Sequence, residues 1–256
     1  MKLGLADRVV VVTGGGSGIG GAISTVLAEE GAIPVILGRS PLDDEFAAGL
    51  ATLQPQSLFV QVDLADDDAC ARAVAQVVDR FGHIHALVNN AGASGGAPAE
   101  THPVAAWDKV MNLNVRGYFI LSQHIAKRSM IGRRSGSIIN VASIAGLGGN
   151  PSGMNTIAYN TSKGAVINFT RALAAEWGKY HIRVNAICPG FFPSRMTVGT
   201  LKAMGEENLA NHAPLGRLGD DEDLKGLCAL YASDAGKHIT GQWLAVDGGV
   251  SIVTGG

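Results

Sequence analysis

Short, apolar runs rich in β-branched residues alternate along the whole chain with longer stretches of helical apolar periodicity. Strands that are apolar at nearly every position are typical of a parallel sheet covered by helices on both faces. The sequence therefore predicts an α/β fold with seven parallel strands. The predicted strands are Arg8–Val12, Pro34–Gly38, Leu58–Asp63, Ala86–Asn89, Ser137–Val141, Arg183–Cys188 and Trp243–Val246. The predicted helices are Gly20–Glu30, Asp66–Phe81, Val104–Ser129, Tyr159–Lys179 and Asp221–Ala232.

The composition fits one large domain that spans residues 1–256. The formal net charge is −2 and the basic residues are scattered, so neither a nucleic-acid surface nor a basic membrane patch is expected. Cys70, Cys188 and Cys228 lie far apart without metal-binding spacing, which indicates a reducing compartment and no metal site. No apolar run approaches the roughly 18–20 residues that span a bilayer, and Met1–Arg8 lacks the core of a signal peptide. We expect a soluble, cytoplasmic protein without a membrane or nucleic-acid partner.

A glycine-rich turn, Thr13-Gly14-Gly15-Gly16-Ser17-Gly18-Ile19-Gly20, follows the first predicted strand and precedes the first predicted helix. Glycines let the backbone approach a pyrophosphate closely, and the helix N-terminus then faces the phosphates. A glycine-rich string alone is also compatible with a plain tight turn, but its place between a strand and a helix favours a dinucleotide site. The predicted cofactor contacts in this turn are Gly14, Ser17, Gly18, Ile19 and Gly20.

The end of the second strand bears on the choice of cofactor. An acidic residue usually binds the ribose 2′-hydroxyl about 20 residues after the glycines. Gly38 stands there instead and is followed by Arg39 and Ser40. A guanidinium suits a 2′-phosphate and Ser40 adds a donor, so the pattern favours NADP(H) over NAD(H). The alternative is a surface ion pair between Arg39 and Asp43 or Asp44.

Tyr159 and Lys163 are four residues apart at the start of a long amphipathic run, so the phenol and the ammonium are expected on one helical face. A neighbouring ammonium favours the phenolate and lowers the pKa of the tyrosine. A pKa lowered from about 10 to about 7–8 makes a tyrosine an effective acid or base near neutral pH. This spacing also arises by chance, so the interpretation depends on the upstream glycines. Together the two motifs predict an enzyme that moves a hydride and a proton.

Two further motifs follow predicted strands at their carboxyl ends, where a dinucleotide passes in this kind of sheet. Asn90, Ala91 and Gly92 follow the fourth strand and are predicted to line the cofactor, although Asn and Gly are also common turn residues. Pro189 and Gly190 follow the sixth strand. They either end the strand or bend the chain around a nicotinamide.

Ser143 follows the fifth strand and is predicted to orient a substrate oxygen toward Tyr159, whereas its commoner role is a helix cap or a turn residue. Gly146–Gly153 is rich in turn residues and is predicted to be a loop. A second soft segment, residues 190–211, is predicted to be a mobile lid over the substrate.

These motifs occur in the order of the classical short-chain dehydrogenase/reductase family, which the chain resembles from Thr13 to Gly249. The resemblance rests on TGxxxGIG, NNAG, YxxxK and the terminal DGG, which are weak signals singly and highly specific together. It implies a single-domain Rossmann fold with helices on both faces of the sheet. It also implies the interconversion of a secondary alcohol and a ketone by hydride transfer with NAD(P)(H).

The resemblance assigns roles to individual residues. In the oxidation direction Tyr159 would take the hydroxyl proton while Ser143 holds the substrate oxygen. Lys163 would lower the pKa of Tyr159 and hold the nicotinamide ribose. Asn114 matches the catalytic asparagine, which would anchor a water that passes protons from Lys163 to solvent. Further cofactor contacts are implied for Asp63, Leu64, Asn90, Tyr159, Lys163, Pro189, Gly190, Phe192 and Thr197.

The chain departs from the family pattern in two places. Ser143 is sixteen residues before Tyr159, where the family has about twelve or thirteen, and the extra residues fall in Gly148–Met154. Ser17 also stands where many NADP-dependent members carry a basic side chain. The first departure implies a longer loop next to the substrate.

The substrate interpretation has two branches. Residues up to about Phe81 resemble sugar dehydrogenases of the L-fucose dehydrogenase type. Residues from about Trp107 onward resemble gluconate 5-dehydrogenases and 3-oxoacyl reductases, which leaves open a natural mosaic or an engineered chimera. Polar side chains suit a sugar or an aldonate, which is favoured, and aromatic side chains suit a 3-oxoacyl thioester. The candidate substrate residues are Ser143, Asn150, Asn155, Tyr159, Phe191 and Arg195.

An alternative of a different class is a non-catalytic dinucleotide sensor on the same fold. Such a protein has no use for Tyr159 and Lys163 on one helical face. The family resemblance also implies a homotetramer formed through Val104–Ser129, Tyr159–Lys179 and the last strand. Both helices look apolar on more than one face, which suits burial between subunits. The residues in question are Ile120, Leu121, Ile125, Val166, Phe169, Leu173 and Trp177.

Overall fold

Seven parallel strands form one sheet in the order β3-β2-β1-β4-β5-β6-β7, in a computed structural model that describes residues 3–151, 153–194 and 196–253. The predicted seven-stranded parallel sheet is therefore confirmed, and each strand lies within two residues of its predicted bounds. The strands are β1 (Val9–Thr13), β2 (Ile33–Gly38), β3 (Leu58–Gln61), β4 (Ala86–Asn89), β5 (Gly136–Val141), β6 (Ile182–Pro189) and β7 (Trp243–Val246).

Helices cover both faces of the sheet. They are α1 (Gly18–Glu29), α2 (Asp44–Leu53), α3 (Asp67–Phe81), α4 (Val104–Met111), α5 (Gly117–Ile125), α6 (Ile131–Arg133), α7 (Ile157–Trp177), α8 (Val198–Met204), α9 (Glu206–Asn211) and α10 (Lys225–Ala232). The stretch from α4 to α6 is continuous, because the π-helical segments Asn112–Arg116 and Ala126–Met130 join its parts. None of the helices in the described ranges is both long and apolar enough to cross a bilayer.

Three helices were absent from the expectation. α2 begins after Asp43, whose carboxylate accepts hydrogen bonds from the backbone N–H groups of Glu45 and Phe46. The short helices α8 and α9 lie within the segment 190–211. The predicted helix at Asp221 instead begins at Lys225, because Asp223 and its neighbours form hydrogen-bonded turns first.

The alternation of side chains along β1 divides the core in two. Val9 and Val11 pack into the layer that contains residues of α3, α5 and α7, whereas Val10 and Val12 pack into the layer that contains residues of α1 and α10. All four valines are buried, as expected for a central strand that is covered on both faces.

The core also absorbs most of the side chains that were predicted to lie between subunits. Five of the seven are buried inside the monomer, so that part of the prediction is wrong: these are Ile120, Leu121, Ile125, Val166 and Leu173. Phe169 and Trp177 are partly buried against the same core. An apolar helix face points to burial, but only the packing decides whether the partner belongs to the same chain.

The order of the strands reverses between β1 and β4. β1 pairs with β2 on one side and with β4 on the other, where Val11 lies opposite Leu87. In open parallel sheets a ligand binds outside the carboxyl ends of the strands at such a switch point. The glycine-rich turn, Asn90 and Ser143 all follow strands at this edge, so the fold brings them to one crevice.

Candidate active site

The glycine-rich turn leaves β1 and enters α1 with no room for side chains at its closest point. Gly14 has a positive φ of +63°, and a Cβ on Gly20 would lie 2.3 Å from the Gly14 carbonyl oxygen. Only glycine fits there. Gly18 is the first residue of α1, so the amide groups and the positive end of the helix dipole lie at the crevice. Ser17 is exposed beside them, while Ile19 packs against the core.

Two side chains fasten this turn to the end of β4. The Thr13 hydroxyl accepts hydrogen bonds from the N–H groups of Asn90 and Ala91 at 2.8 and 2.9 Å. The Asn90 amide donates to the carbonyls of Thr13 and Gly14 at 3.0 and 3.3 Å. Asn90 therefore shapes the cofactor turn, and the role of Thr13 was missed although the residue opens the quoted motif.

The end of β2 carries Arg39 and Ser40, both exposed. The Arg39 carbonyl accepts a hydrogen bond from the Gln61 side chain at 2.9 Å, which ties this turn to β3. Within the described residues the Arg39 guanidinium forms no ion pair. Its predicted alternative partner Asp43 caps α2 instead. The guanidinium is therefore available to an anion.

Asp63 and Leu64 follow β3 and differ in environment. Asp63 is exposed, and its carboxylate accepts the N–H of Ala65 at 3.0 Å. The Leu64 side chain is buried in the core, which leaves its backbone for the expected cofactor contact. The sequence pattern marks the position at the end of the strand but does not say which way each side chain points.

The predicted common face of Tyr159 and Lys163 is confirmed. α7 begins at Ile157, which puts Tyr159 in its first turn and Lys163 one turn later. The Lys163 Nζ atom lies 5.6 Å from the centroid of the Tyr159 ring. Lys163 is only 3% exposed and donates a hydrogen bond of 2.7 Å to the Val141 carbonyl at the end of β5.

The predicted lowering of the Tyr159 pKa is corrected. Burial raises the pKa of Tyr159 above its ordinary value, and the neighbouring Ser143 hydroxyl acts in the opposite direction. Burial also lowers the pKa of Lys163 to about 8. Desolvation disfavours both charged forms and outweighs their proximity. A neutral phenol therefore lies beside an ammonium whose pKa is about 8.

Ser143 combines both roles that the sequence left open. It caps the single 3-10 turn Ile144–Gly146 after β5, where its hydroxyl oxygen accepts the N–H of Ala145 at 3.1 Å. The same hydroxyl lies close enough to the Tyr159 phenol to lower the pKa of that phenol. Ser143 and Tyr159 are thus brought together across the longer loop.

Asn114 lies in the π-helical segment Asn112–Arg116 and is fully buried. Its amide oxygen accepts the N–H of Ala93 at 2.8 Å, and its amide hydrogens go to the Ala93 carbonyl and the Ser162 hydroxyl, both at 2.9 Å. The side chain therefore clamps the loop after β4 to α7. Any water beside Asn114 has to bind through atoms other than these two hydrogens.

The longer loop uses its own polar groups. The Asn150 amide donates to Thr156 Oγ1 at 2.6 Å and to Asn160 Oδ1 at 3.0 Å, and the Asn160 amide returns a hydrogen bond of 3.1 Å to Asn150 Oδ1. The Asn150 amide thus has hydrogen-bond partners within the loop, and its substrate contact stays a prediction. Asn155 is exposed, and its carbonyl accepts the N–H of Ala97 at 3.0 Å.

The chain turns sharply after β6. Gly190 donates a hydrogen bond of 2.9 Å to the Val246 carbonyl, and a Cβ on Gly190 would lie 2.7 Å from the Cβ of Asp247. The predicted bend at Pro189 and Gly190 thus has a cause in close packing against the C-terminal turn.

The predicted site residues after this bend differ in their environments. Phe191 is partly buried, and its carbonyl accepts the N–H of Gly219 at 3.0 Å. The Phe192 side chain is buried in the core, which leaves its backbone for the predicted cofactor contact. The Thr197 hydroxyl donates to the Phe192 carbonyl at 2.6 Å and so shapes the turn that leads into α8. Arg195 lies outside the described residues.

Three groups next to Lys163 were missed by the sequence reasoning. The Val141 carbonyl accepts its hydrogen bond, and the ring of the buried Tyr118 lies 5.5 Å from its Nζ atom. Cys188, just before Pro189, lies near Ser143 and Lys163, and burial raises the pKa of its thiol to about 11. The Cys188 position was visible next to a quoted motif, whereas no sequence signal pointed to Tyr118. In the described residues, no group of three potential metal ligands comes together.

Known proteins share these features along nearly the whole chain. Residues 14–251 match the family model described as enoyl-(acyl carrier protein) reductase. The cis-4-hydroxycyclohexanecarboxylate dehydrogenase of Sinomonas cyclohexanicum is 38% identical over 249 residues, which are 97% of this chain and 98% of that protein. The 3-oxoacyl-[acyl-carrier-protein] reductase of Thermotoga maritima is 37% identical over 253 residues, with coverages of 97% and 99%.

A solved structure extends the similarity to three dimensions. The putative NAD(P)-dependent gluconate 5-dehydrogenase from Beutenbergia cavernae, with NADP bound at low occupancy, superposes with a TM-score of 0.90 at 35% identity. The match covers 99% of this chain and 100% of that one. With the glycine turn at the β1–β4 crevice and Ser143, Tyr159 and Lys163 in contact, the chain is an oxidoreductase acting on CH–OH groups. It belongs to the short-chain dehydrogenase/reductase family.

Proposed function

We propose that the protein interconverts a secondary alcohol and a ketone, uses NADP(H) in preference to NAD(H), and acts on a hydroxy acid of the aldonate type. The observation that carries this proposal is that the Ser143 hydroxyl and the buried Lys163 ammonium both lie near Tyr159. An alcohol oxygen placed near these two hydroxyls can accept a hydrogen bond from Ser143 and exchange a proton with Tyr159.

The crevice fits a dinucleotide. The backbone around Gly20 leaves no room for a Cβ, and the amide end of α1 suits a pyrophosphate. When bound, the nicotinamide supplies the hydride acceptor or donor. Tyr159 receives the hydroxyl proton in oxidation and returns it in reduction, and Ser143 orients the oxygen. The Lys163 ammonium stabilises negative charge on the Tyr159 oxygen and holds the ribose.

Arg39 supports the preference for NADP(H), because its exposed guanidinium is free of ion pairs within the described residues. A charged, bidentate contact to a 2′-phosphate contributes roughly 1.5–3 kcal/mol, about 10- to 100-fold in affinity. We expect wild type to show a higher kcat/KM with NADP+ than with NAD+, and Arg39→Ala to lose most of that preference. Arg133→Ala, a change of an exposed arginine at the end of α6 and before the start of β5, is the control. An unchanged cofactor ratio in Arg39→Ala would contradict the assignment.

The substrate class has support from two of the similar proteins. The names of the cyclohexanecarboxylate and gluconate enzymes both describe a substrate that combines a secondary hydroxyl with a carboxylate. Asn155 and Arg195 remain candidates for this carboxylate and its hydroxyls. The second candidate substrate is a 3-oxoacyl thioester, which the similarity to the Thermotoga reductase favours.

A screen of purified protein separates these possibilities. Absorbance of the reduced nicotinamide is followed with NADP+ and NAD+ over aldonates, neutral sugars and 3-hydroxyacyl thioesters. Turnover of aldonates above the other classes supports the proposal, and turnover confined to thioesters supports the alternative. Tight cofactor binding with no turnover of any substrate class would contradict the proposed enzyme and favour a non-catalytic dinucleotide sensor.

Two further parts of the proposal concern the whole protein. The edge strand β7 exposes Trp243 and Leu244, and a cavity of about 430 Å³ beside Phe192 opens between Leu215 and Ile252. We take this apolar edge as part of a homotetramer interface, and a mass measurement in solution tests it.

The cysteines are buried and unpaired, which supports a cytoplasmic location. The segment 190–211, with α8 and α9, stays a proposed lid.

A further inference from the structure

The Lys163 ammonium is a buried cation with few polar partners. Among the described residues, the Val141 carbonyl is its one hydrogen-bond acceptor, at 2.7 Å. An ammonium carries three donors, and a buried charge is costly unless its surroundings compensate it. Two of its N–H donors therefore have no hydrogen-bond acceptor among the described residues. Other groups must keep the ammonium charged and in place.

Tyr118 occupies the other side of this ammonium. It is the second residue of α5, four residues after Asn114, and is 2% exposed. The face of its ring lies 5.5 Å from Lys163 Nζ, nearly the same distance as the Tyr159 ring. A cation within about 6 Å of an aromatic face is attracted by the ring quadrupole, most strongly where water is excluded.

The Tyr118 hydroxyl adds a second link. It donates a hydrogen bond of 3.2 Å to the Val141 carbonyl, the same oxygen that accepts the ammonium. One backbone carbonyl thus receives hydrogen bonds from Lys163 and Tyr118. Its orientation at the end of β5 is fixed from two helices, α5 and α7.

The charged and titratable groups around Lys163 are few. Tyr159 faces it from its own helix, Tyr118 from α5, and Cys188 from β6, and Cys188 is in turn influenced by Asp247. Burial keeps the pKa of Tyr118 far above its ordinary value, so its ring stays a neutral phenol. The pKa of the Cys188 thiol is raised as well. No full negative charge faces the ammonium at neutral pH among these groups, which leaves the two aromatic rings and the carbonyl to stabilise it.

We propose that Tyr118 is a positioning residue, which holds the Lys163 ammonium between its ring and the Val141 carbonyl and keeps it charged beneath Tyr159. This inference rests on the proposed function only for the role of Lys163. The ring supplies the electrostatic part, and the hydroxyl supplies the smaller part through the carbonyl.

The test is the pH dependence of reduced-cofactor affinity, measured by fluorescence titration between pH 6 and 10, together with that of kcat. Wild type is expected to lose affinity on the alkaline side. Two ring-removing variants, Tyr118→Leu and Tyr118→Met, guard against a folding failure of either. The alkaline limb is the pH range in which cofactor affinity falls as the pH rises. Both variants are expected to move its midpoint down by about one pH unit, because the ring's stabilisation of the ammonium is worth roughly tenfold in its proton affinity. Tyr118→Phe keeps the ring and is expected to keep the limb within about 0.3 pH unit of wild type.

Two controls separate this effect from general loosening of the core. Phe169→Leu removes an aromatic ring that packs against the same cluster but is not over Lys163. It is expected to leave the limb in place. In a Lys163→Met background, Tyr118→Leu should cause no further displacement. A wild-type limb in both ring-removing variants, or an equal displacement in Phe169→Leu, overturns the proposal. Because cofactor affinity needs no substrate, a failure of the proposed activity leaves this test decisive.

Discussion

Lys163 illustrates how a single buried residue sets the working range of a site. Its spacing from Tyr159 was read from the sequence, and the shared helical face follows from one helical turn. The direction of the pKa effect was not available from spacing. It depends on how completely β5, β6 and α5 enclose the pair, and desolvation of this kind appears only in the packed structure.

A pH dependence follows for the residue scale. Burial lowers the pKa of Lys163 to about 8, so the ammonium is present below this pH and lost as the pH rises through it. We expect cofactor affinity and turnover in the reduction direction to decline above about pH 8. Lys163→Arg keeps its charge throughout this range, so its remaining cofactor affinity should show no such decline. An unchanged alkaline limb in Lys163→Arg contradicts the assignment of that limb to Lys163.

The structure gives two other predicted site residues partners that the sequence did not indicate. Asn150 was a plausible substrate contact by side-chain type, but Thr156 and Asn160 occupy its amide. Phe192 was a plausible cofactor contact by position in a motif, but the core takes its ring. A motif identifies where the backbone goes, whereas partners distant in sequence decide what each side chain touches.

At the scale of elements, periodicity was sufficient for most of the sheet and the long helices. The N-terminus of α2 carried a usable signal, because Asp43 precedes two acidic residues in the first turn, Asp44 and Glu45. The π-helical segment that holds Asn114 carried none. A π turn adds one residue to a helix without a compositional mark, although such turns occur often at functional sites.

The loop between Ser143 and α7 is the element that most distinguishes this chain from the family pattern. Asn150, Thr156 and Asn160 form a closed set of hydrogen bonds, which fastens the loop to the residue after Tyr159. Asn155 also ties it to the loop after β4. We infer that this loop borders the substrate rather than the cofactor.

The loop makes a kinetic prediction. Asn160→Ala removes bonds that contribute about 0.5–1.5 kcal/mol each, so KM for the alcohol should rise roughly 3- to 10-fold. KM for the cofactor should stay unchanged. Asn150→Ala should have a similar effect, and the double variant should be no worse than either single one, because the two amides bond each other. The control is Asn168→Ala, an exposed position on the same helix. Additive effects, or equal losses for cofactor and alcohol, would contradict this account.

At the scale of the whole molecule, the candidate active site lies at the carboxyl ends of the strands. The histidines that we expect to control stability in acid lie at the opposite end of the sheet. His83 and His85 pack edge to face at the start of β4, with ring centroids 4.4 Å apart. His83 Nδ1 lies 2.7 Å from the Ser129 hydroxyl, and His85 Nδ1 accepts the N–H of Val9 at 3.0 Å. If the His85 Nδ1 atom were protonated, its N–H group would point at the Val9 N–H group and their hydrogen bond would be lost.

A stability prediction follows from these histidines. Burial, aided by His85 and Arg133, lowers the pKa of His83 to about 4, and burial also lowers that of His85. The unfolded chain therefore binds more protons at acid pH, and stability should fall as the pH drops from about 6.5 toward about 4. Urea midpoints measured across this range check the slope. His83→Gln should flatten it, whereas His238→Gln, a change at an exposed position, should not. Equal slopes in His83→Gln and wild type would count against the histidine pair.

The central claim is that the Tyr159 hydroxyl carries the proton of a secondary alcohol or ketone beside bound cofactor. The most direct test is Tyr159→Phe, which removes one oxygen atom and keeps the ring. We expect cofactor affinity within about twofold of wild type, and turnover lower by about a thousandfold, as the loss of a positioned acid or base produces. Turnover within about tenfold of wild type, at the same cofactor affinity, would contradict the account.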